Sequence, residues 1–210
     1  MKKLIITYAA IMLVALCGCD DFRVPASHGY CVKLQLCDSL RHDGASLYVV
    51  NDDYNRLQRG GTMYLAEGRC EFNGQTSGAS VAFIKLDSLD RPFYFVLEPG
   101  VTTINIDLRK WRMSGGKGNG RYMWLLNERQ RLIDERNHNR DNYLKAVADT
   151  MLTLRKERQA VVRDSLLADS LQHLLVRYMS GDDAVARIVR ERFFNDLSVE
   201  SRTKLKNSNN

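Results

Sequence analysis

The chain has 210 residues, 44% of them apolar and 27% charged, with a formal net charge of +6. Such a composition supports a packed core and excludes a chain disordered by composition. The positive excess lies in the second half: residues 1–109 hold 11 Lys/Arg against 12 Asp/Glu, and residues 110–210 hold 20 against 13. Both signs are interleaved there along helical patterns, as on a solvated helix surface, and no nucleic-acid motif accompanies them, so no nucleic-acid partner is expected.

Met1-Lys2-Lys3 is a short positive start, and Leu4 to Leu16 is almost wholly apolar. About 13 residues are too few to span roughly 30 Å of hydrocarbon, and the pattern is that of a secretory signal over residues 1–18. Leu16-Cys17-Gly18-Cys19 resembles a bacterial lipobox, which makes Cys19 the expected lipidated residue and the membrane, through that lipid, the first expected partner. Asp20-Asp21 resembles the export signal of surface-exposed lipoproteins in Bacteroidota. The expected location is therefore the cell envelope, extracytoplasmic and anchored in the outer membrane, with residues 19–28 as a tether.

Residues 29–114 read as a β domain. Tyr30 to Cys37 alternates, with Tyr30, Val32, Leu34 and Leu36 on one face. Asp43-Gly44 marks a turn and Ser46 to Val50 the next strand. Asn51-Asp52-Asp53 and Gly60-Gly61 bracket an expected loop; Thr62 to Ala66 and Arg69 to Asn73 flank a hairpin turn at Glu67-Gly68. Ser80 to Leu86 and Phe93 to Leu97 are apolar on both faces, as central strands of a packed sandwich are. Thr102, Ile104, Ile106 and Leu108 share one face of a further strand, and Trp111 and Met113 continue the core. The fold class expected is α+β: an antiparallel β-sandwich or open barrel followed by a C-terminal helical hairpin or arm.

Phe72-Asn73-Gly74, Phe93 to Gly100, and Ser114-Gly115 with Asn119 beyond carry a likeness. The stretch resembles domain of unknown function 4369, the β-rich domain that precedes the thioredoxin-like domain in Bacteroidota lipoproteins of the AhpC/TSA and thiol-disulfide oxidoreductase type. The resemblance covers residues 29 to 125, and Phe95-Val96-Leu97-Glu98-Pro99-Gly100 is its most specific piece. It implies an accessory domain in an extracytoplasmic redox setting. No Cys-x-x-Cys is present, so the redox activity of the full-length family is not expected to carry over.

Residues 119–205 read as a helical extension. Ser114 to Gly120 is expected to be a flexible connector, since Lys117 is followed by Gly118 and the phosphate-loop pattern fails. Tyr122, Leu125, Leu126, Leu132 and Ile133 recur at helical spacing, and Asn139 to Asp141 marks a break. One helix from Asp141 to Tyr178 would be about 57 Å long, which calls for a hairpin with the first helix or for a partner. Asp182 is expected to cap the next helix and Ser198 a last short one, with residues 206–210 a disordered tail.

Candidate chemistry is sparse. Cys31, Cys37 and Cys70 remain outside the signal as structural or redox thiols. Cys31 and Cys37 stand about 20 Å apart on one strand and cannot pair, whereas either could meet Cys70 across the sheet. Of His28, His42, His138 and His173, only His138 forms a Glu-x-x-His, with Glu135; a di-metal bundle needs two such motifs, so no metal is expected. Asp169 and His173 make an ordinary surface pair, and Asp87, Asp90 and Glu98 lack paired-carboxylate spacing. With no catalytic motif and no small-molecule cofactor evident, the expected role is a non-enzymatic binding or accessory module for a protein or glycan partner. The alternative is a component of a thiol-disulfide system that docks a separate thioredoxin-like protein.

Overall fold

A computed structural model describes residues 28–37, 43–51, 56–107, 110–150 and 152–208. These residues form eight strands and four α-helices, an α+β architecture with the helices last. The strands are β1 (Gly29–Leu36), β2 (Gly44–Asn51), β3 (Arg56–Tyr64), β4 (Arg69–Gln75), β5 (Ser80–Leu86), β6 (Phe93–Leu97), β7 (Gly100–Ile106) and β8 (Trp111–Ser114). They build two four-stranded sheets, ordered β4-β1-β7-β8 and β3-β2-β5-β6. All the pairings are antiparallel except β1 with β7, which run parallel with Tyr30 opposite Gly100 and Leu36 opposite Ile106.

Period-two alternation sets the interior. Val32, Leu34 and Ile104 of the first sheet and Leu47, Ile84 and Phe95 of the second are fully or almost fully buried, while Lys33, Gln35 and Asn105 of the first sheet are exposed. The turn at Glu67-Gly68 is present, and both residues are left-handed (φ 53° and 77°), as a two-residue β-turn of the primed type requires. It joins strands of different sheets, however: after one bridge between Ala66 and Arg69, β3 continues along β2 and β4 along β1. Gly60 and Gly61 do not bracket a loop. They lie within β3, where the register slips between Leu47 and Tyr48 and leaves Gly60 as the extra residue of a bulge. A Cβ on Gly60 would stand 3.0 Å from the Leu47 side chain, so a larger residue in the bulge would require Leu47 to shift by a few tenths of an ångström.

The helices are α1 (Lys117–Ala148), α2 (Leu154–Met179), α3 (Ala184–Phe193) and α4 (Val199–Ser208), with a short 3-10 turn over Phe194–Asp196. The stretch from Ser114 to Gly120 is packed structure, not a flexible connector. Gly118 and Asn119 are buried; the Glu98 carboxylate accepts from the Gly118 N–H at 3.1 Å, and a side chain on Gly118 would press on Val96. Glu98 thus places negative charge at the first turn of α1, where unpaired N–H groups favour it.

The expected break at Asn139 to Asp141 is also corrected: α1 runs through it. Asn139 donates its side-chain amide to the Ala160 carbonyl at 2.9 Å, and Arg136 makes two bonds to the Asp164 carboxylate at 2.8 and 2.9 Å. Packing against α2 therefore overrides the weak helix propensity of asparagine. The chain reverses at Asp149 and Thr150, the latter left-handed at φ 52°, and Thr153 caps α2 by accepting from the Lys156 N–H. The single helix expected from Asp141 to Tyr178 is two helices of a hairpin. Asp183, not Asp182, caps α3, accepting from Ala186 at 2.9 Å and from Arg121 of α1 at 2.5 Å. Ser198 accepts from the Ser201 N–H at the start of α4.

Strands and helices share one core. Tyr122, Leu125, Leu175, Ile188 and Val189 belong to the same buried cluster as the sandwich interior. Helix α1 starts beside Val96 and Thr102 and passes Trp111 at Tyr122 (ring centroids 6.3 Å apart). It therefore travels from the Gly100 end of β7 toward the Ile106 end. Its remaining 26 residues carry it about 39 Å further, and α2 returns along it. Among the described residues no helix is long and apolar enough to cross a membrane.

Candidate binding cleft

In the second sheet β5 and β6 are apolar on both faces because they are covered twice. The inner face of this sheet meets the first sheet, and its outer face meets α3. Parity along the paired strands places two rows of side chains on that outer face. One row is Leu57, Val50, Val81 and Val96; the other is Arg59, Tyr48, Phe83 and Tyr94. Helix α3 lies chiefly over β5 and β6. No described element packs over the β2 and β3 half as α3 does over β5 and β6, and Leu57 is 60% exposed there.

The result is a cleft of about 860 Å³ with an apolar floor and a charged wall. Val50, Leu57, Val81, Phe83 and Tyr94 form the floor, and Arg187, Arg190 and Glu191 of α3 stand over it. The Tyr48 and Phe83 rings stack at 5.0 Å and 17°, and Tyr94 leans on Phe83 at 5.3 Å. Phe83 thus has an aromatic neighbour on either side, from β2 and from β6, and the floor is stiff. Burial, reinforced by the nearby Glu191 charge and opposed by Arg192, raises the Tyr94 phenol above its usual pKa, so it stays neutral. The wall is rigid as well. Arg190 donates to the Met179 carbonyl at 2.8 Å and to that of Gly181, locking α3 onto the end of α2. Phe193 is flanked by the guanidinium groups of Arg129 and Arg192 at 4.8 and 4.9 Å, and Arg192 donates to the Tyr122 hydroxyl at 2.5 Å.

The thiols singled out in the sequence do not converge. Cys31 lies on the outer face of the first sheet opposite Asn73, whereas Cys70 lies opposite Leu34 on the inner face. Cys37 follows β1 and donates its backbone N–H to Ile106, at the far end of the sheet from Cys31. The pairing of Cys31 or Cys37 with Cys70 that the sequence left open does not form, and no disulfide joins the three. Burial and, secondarily, the Glu71 carboxylate push the Cys70 thiol up to about 11. Burial leads again at Cys31, followed by Glu71, to which the thiol points at 3.9 Å; Lys33 opposes the rise. Exchange chemistry needs the thiolate, and these surroundings suppress it. Alkylation of Cys70 by iodoacetamide is accordingly expected to rise about ten-fold per pH unit from pH 8 to 10 and to level only near its raised pKa. A plateau below pH 9 in the peptide-resolved rate would contradict this placement.

Glu135 is held by Arg131, and His138 Nε2 lies 2.9 Å from the Asn142 amide. Among the described residues no group of three His, Cys, Asp or Glu comes together. Cys19, Asp20 and Asp21 lie outside the described residues.

The cleft residues were not singled out by sequence reasoning. The available signal was the two-sided apolar character of Ser80–Leu86 and Phe93–Leu97, which demands a second cover, together with the length of the uncovered neighbour β2. Fold and cleft define the class of this protein: an α+β sandwich whose helices half-cover one sheet and leave an open groove. No protein-family model, curated protein or solved structure matches the chain.

Proposed function

We propose that this chain is a lipoprotein of the cell envelope, anchored through a lipid on Cys19 and exposed beyond the membrane with the help of Asp20 and Asp21, and that it acts as a non-enzymatic binding module. The observation that carries the reading is the half-covered outer face of the second sheet, with Leu57 60% exposed above a stiff apolar floor. The likeness to domain of unknown function 4369 supports an accessory role. The orientation of the hairpin supports it too. The described chain enters β1 at the Gly100 end, and α1 runs toward the opposite, Ile106 end, so the hairpin extends away from the end at which β1 begins.

A protein partner suits the floor better than a glycan. A pyranose stacks on an open ring face, and the Phe83 ring has aromatic neighbours on both sides. The test is a photo-crosslinking residue placed at Tyr48 in the native host. An adduct with a macromolecule, lost when Leu57 is also replaced by Asp, is the expected result. No adduct at Tyr48, with the protein present at normal level in the membrane fraction, overturns the reading.

A further inference from the structure

The shape and charge of the cleft go further than the presence of a partner. The uncovered half of the sheet is two strands wide. Strands lie about 4.8 Å apart, so the open strip is about 10 Å across, the width of one α-helix. Helix α3 already occupies the neighbouring strip over β5 and β6. A second helix laid beside α3 would complete the layer and cover Leu57, Val50 and Tyr48. A cleft of about 860 Å³ holds the apolar side chains of two or three helical turns.

The rim selects what that helix carries. Arg59 of β3 stands on one side of the strip, beside Tyr48, and donates to the Thr62 hydroxyl. Arg187 and Arg190 stand on the other side, on α3, with Glu191 the one carboxylate among the described residues that line the cleft there. Arginines therefore border the apolar floor on both sides, with Glu191 beside those of α3 and Asp182 3.7 Å from Arg190. Among the described residues a second copy of this chain does not supply the complement, because each of the four helices they form carries more Lys and Arg than Asp and Glu.

We infer that the cleft receives an amphipathic helix of a partner protein, with its apolar stripe on Leu57, Val50 and Tyr48 and with acidic residues flanking that stripe on both sides. This inference rests on the binding-module reading and narrows it to one partner chemistry. The interaction is built like other helix-in-groove recognition: apolar anchors give the affinity, and rim charges set the choice of partner.

The probe is a pair of synthetic 18-residue helical peptides with the same leucine stripe, one flanked by Glu and the other by Lys. Binding is read by fluorescence anisotropy on the full chain in phosphatidylcholine nanodiscs, with the Leu57→Asp chain giving the background for lipid partitioning. The Glu-flanked peptide is expected to bind at least about ten-fold tighter than its twin. Leu57→Asp should abolish the difference. Arg59→Glu, a surface change that leaves the core intact, should shrink it at least about three-fold. Equal binding of the twins, or a preference that survives Leu57→Asp, overturns the helix assignment. If the Tyr48 crosslink still forms in that case, the binding module stands and only its partner chemistry falls. A Tyr48 adduct that maps to a second copy of this chain, a lipid or a glycan overturns the inference in the same way. Absence of any Tyr48 adduct removes both.

Discussion

Asn119→Ala is expected to cost the fold about 3 kcal/mol, the removal of one small side chain notwithstanding. Asn119 is fully buried at the start of α1. Its Oδ1 accepts from the Val96 N–H at 2.8 Å, and its Nδ2 donates to the Val96 carbonyl at 2.8 Å and to the Thr102 hydroxyl at 3.3 Å. Strand β6 is the edge of its sheet, so these are the backbone groups that a fifth strand would otherwise pair. One amide thus imitates a strand neighbour and also reaches β7 of the other sheet. Alanine leaves a buried N–H and a buried carbonyl without partners, and each such loss costs about 1–3 kcal/mol. For a domain of this size the melting temperature should fall by about 6–12 °C. Asn119→Asp should be no better, because it keeps the acceptor but turns a carboxylate toward the Val96 carbonyl. Thermal melts of the three chains by circular dichroism check this; an alanine chain melting within about 2 °C of the parent would show that the amide is dispensable.

Gly115→Ala should destabilise by a similar or larger amount, and Gly120→Ala should do the opposite. Gly115 sits at φ +97°, and a Cβ there would overlap the carbonyl oxygen of Val101. The obstacle is backbone, so no rotamer change relieves it, and the strained φ adds its own penalty of about 1–3 kcal/mol. Gly120, five residues on, lies inside α1 with ordinary φ, and nothing stands within 4 Å of the place a Cβ would take. Alanine there should stabilise by about 0.5–1 kcal/mol through its better helix propensity. The contrast in sign between two glycines of one connector is the diagnostic result, and urea midpoints measure it. Two substitutions of equal effect would mean that the connector is not packed as described.

Period-two alternation in β1 and β7 was legible because each has one face on the core and one in water; Val32 and Lys33 show it side by side. The α+β order was legible as well, but the reversal of the helical hairpin lies at Asp149-Thr150 and not at the expected break of Asn139 to Asp141. What the residues did not disclose was tertiary. Gly60-Gly61 reads as the border of a loop and is a bulge within β3, because pairing with β2 continues on both sides of it. Asn139 looks like a helix break and instead bonds α2. Ser114 to Gly120 looks flexible, yet its glycines are where α1 presses on Val96 and Glu98. The cleft was hidden for a related reason: nothing in a linear reading of Phe93–Leu97 says that α3, ninety residues later in the chain, covers only part of the sheet outside it.

The parallel pairing of β1 with β7 also has a consequence in time. Val32 pairs with Phe72 and with Thr102, 40 and 70 residues further along. Closing loops of that length is slow compared with the α1–α2 hairpin, whose contacts are local and whose turn is short. The strand synthesised first therefore acquires its second neighbour only after β7 exists, and until then its apolar face, Tyr30, Val32, Leu34 and Leu36, has half a sheet to rest on. Refolding should be limited by this step: helical signal returns early, and burial of Trp111, which follows β7, marks the late phase.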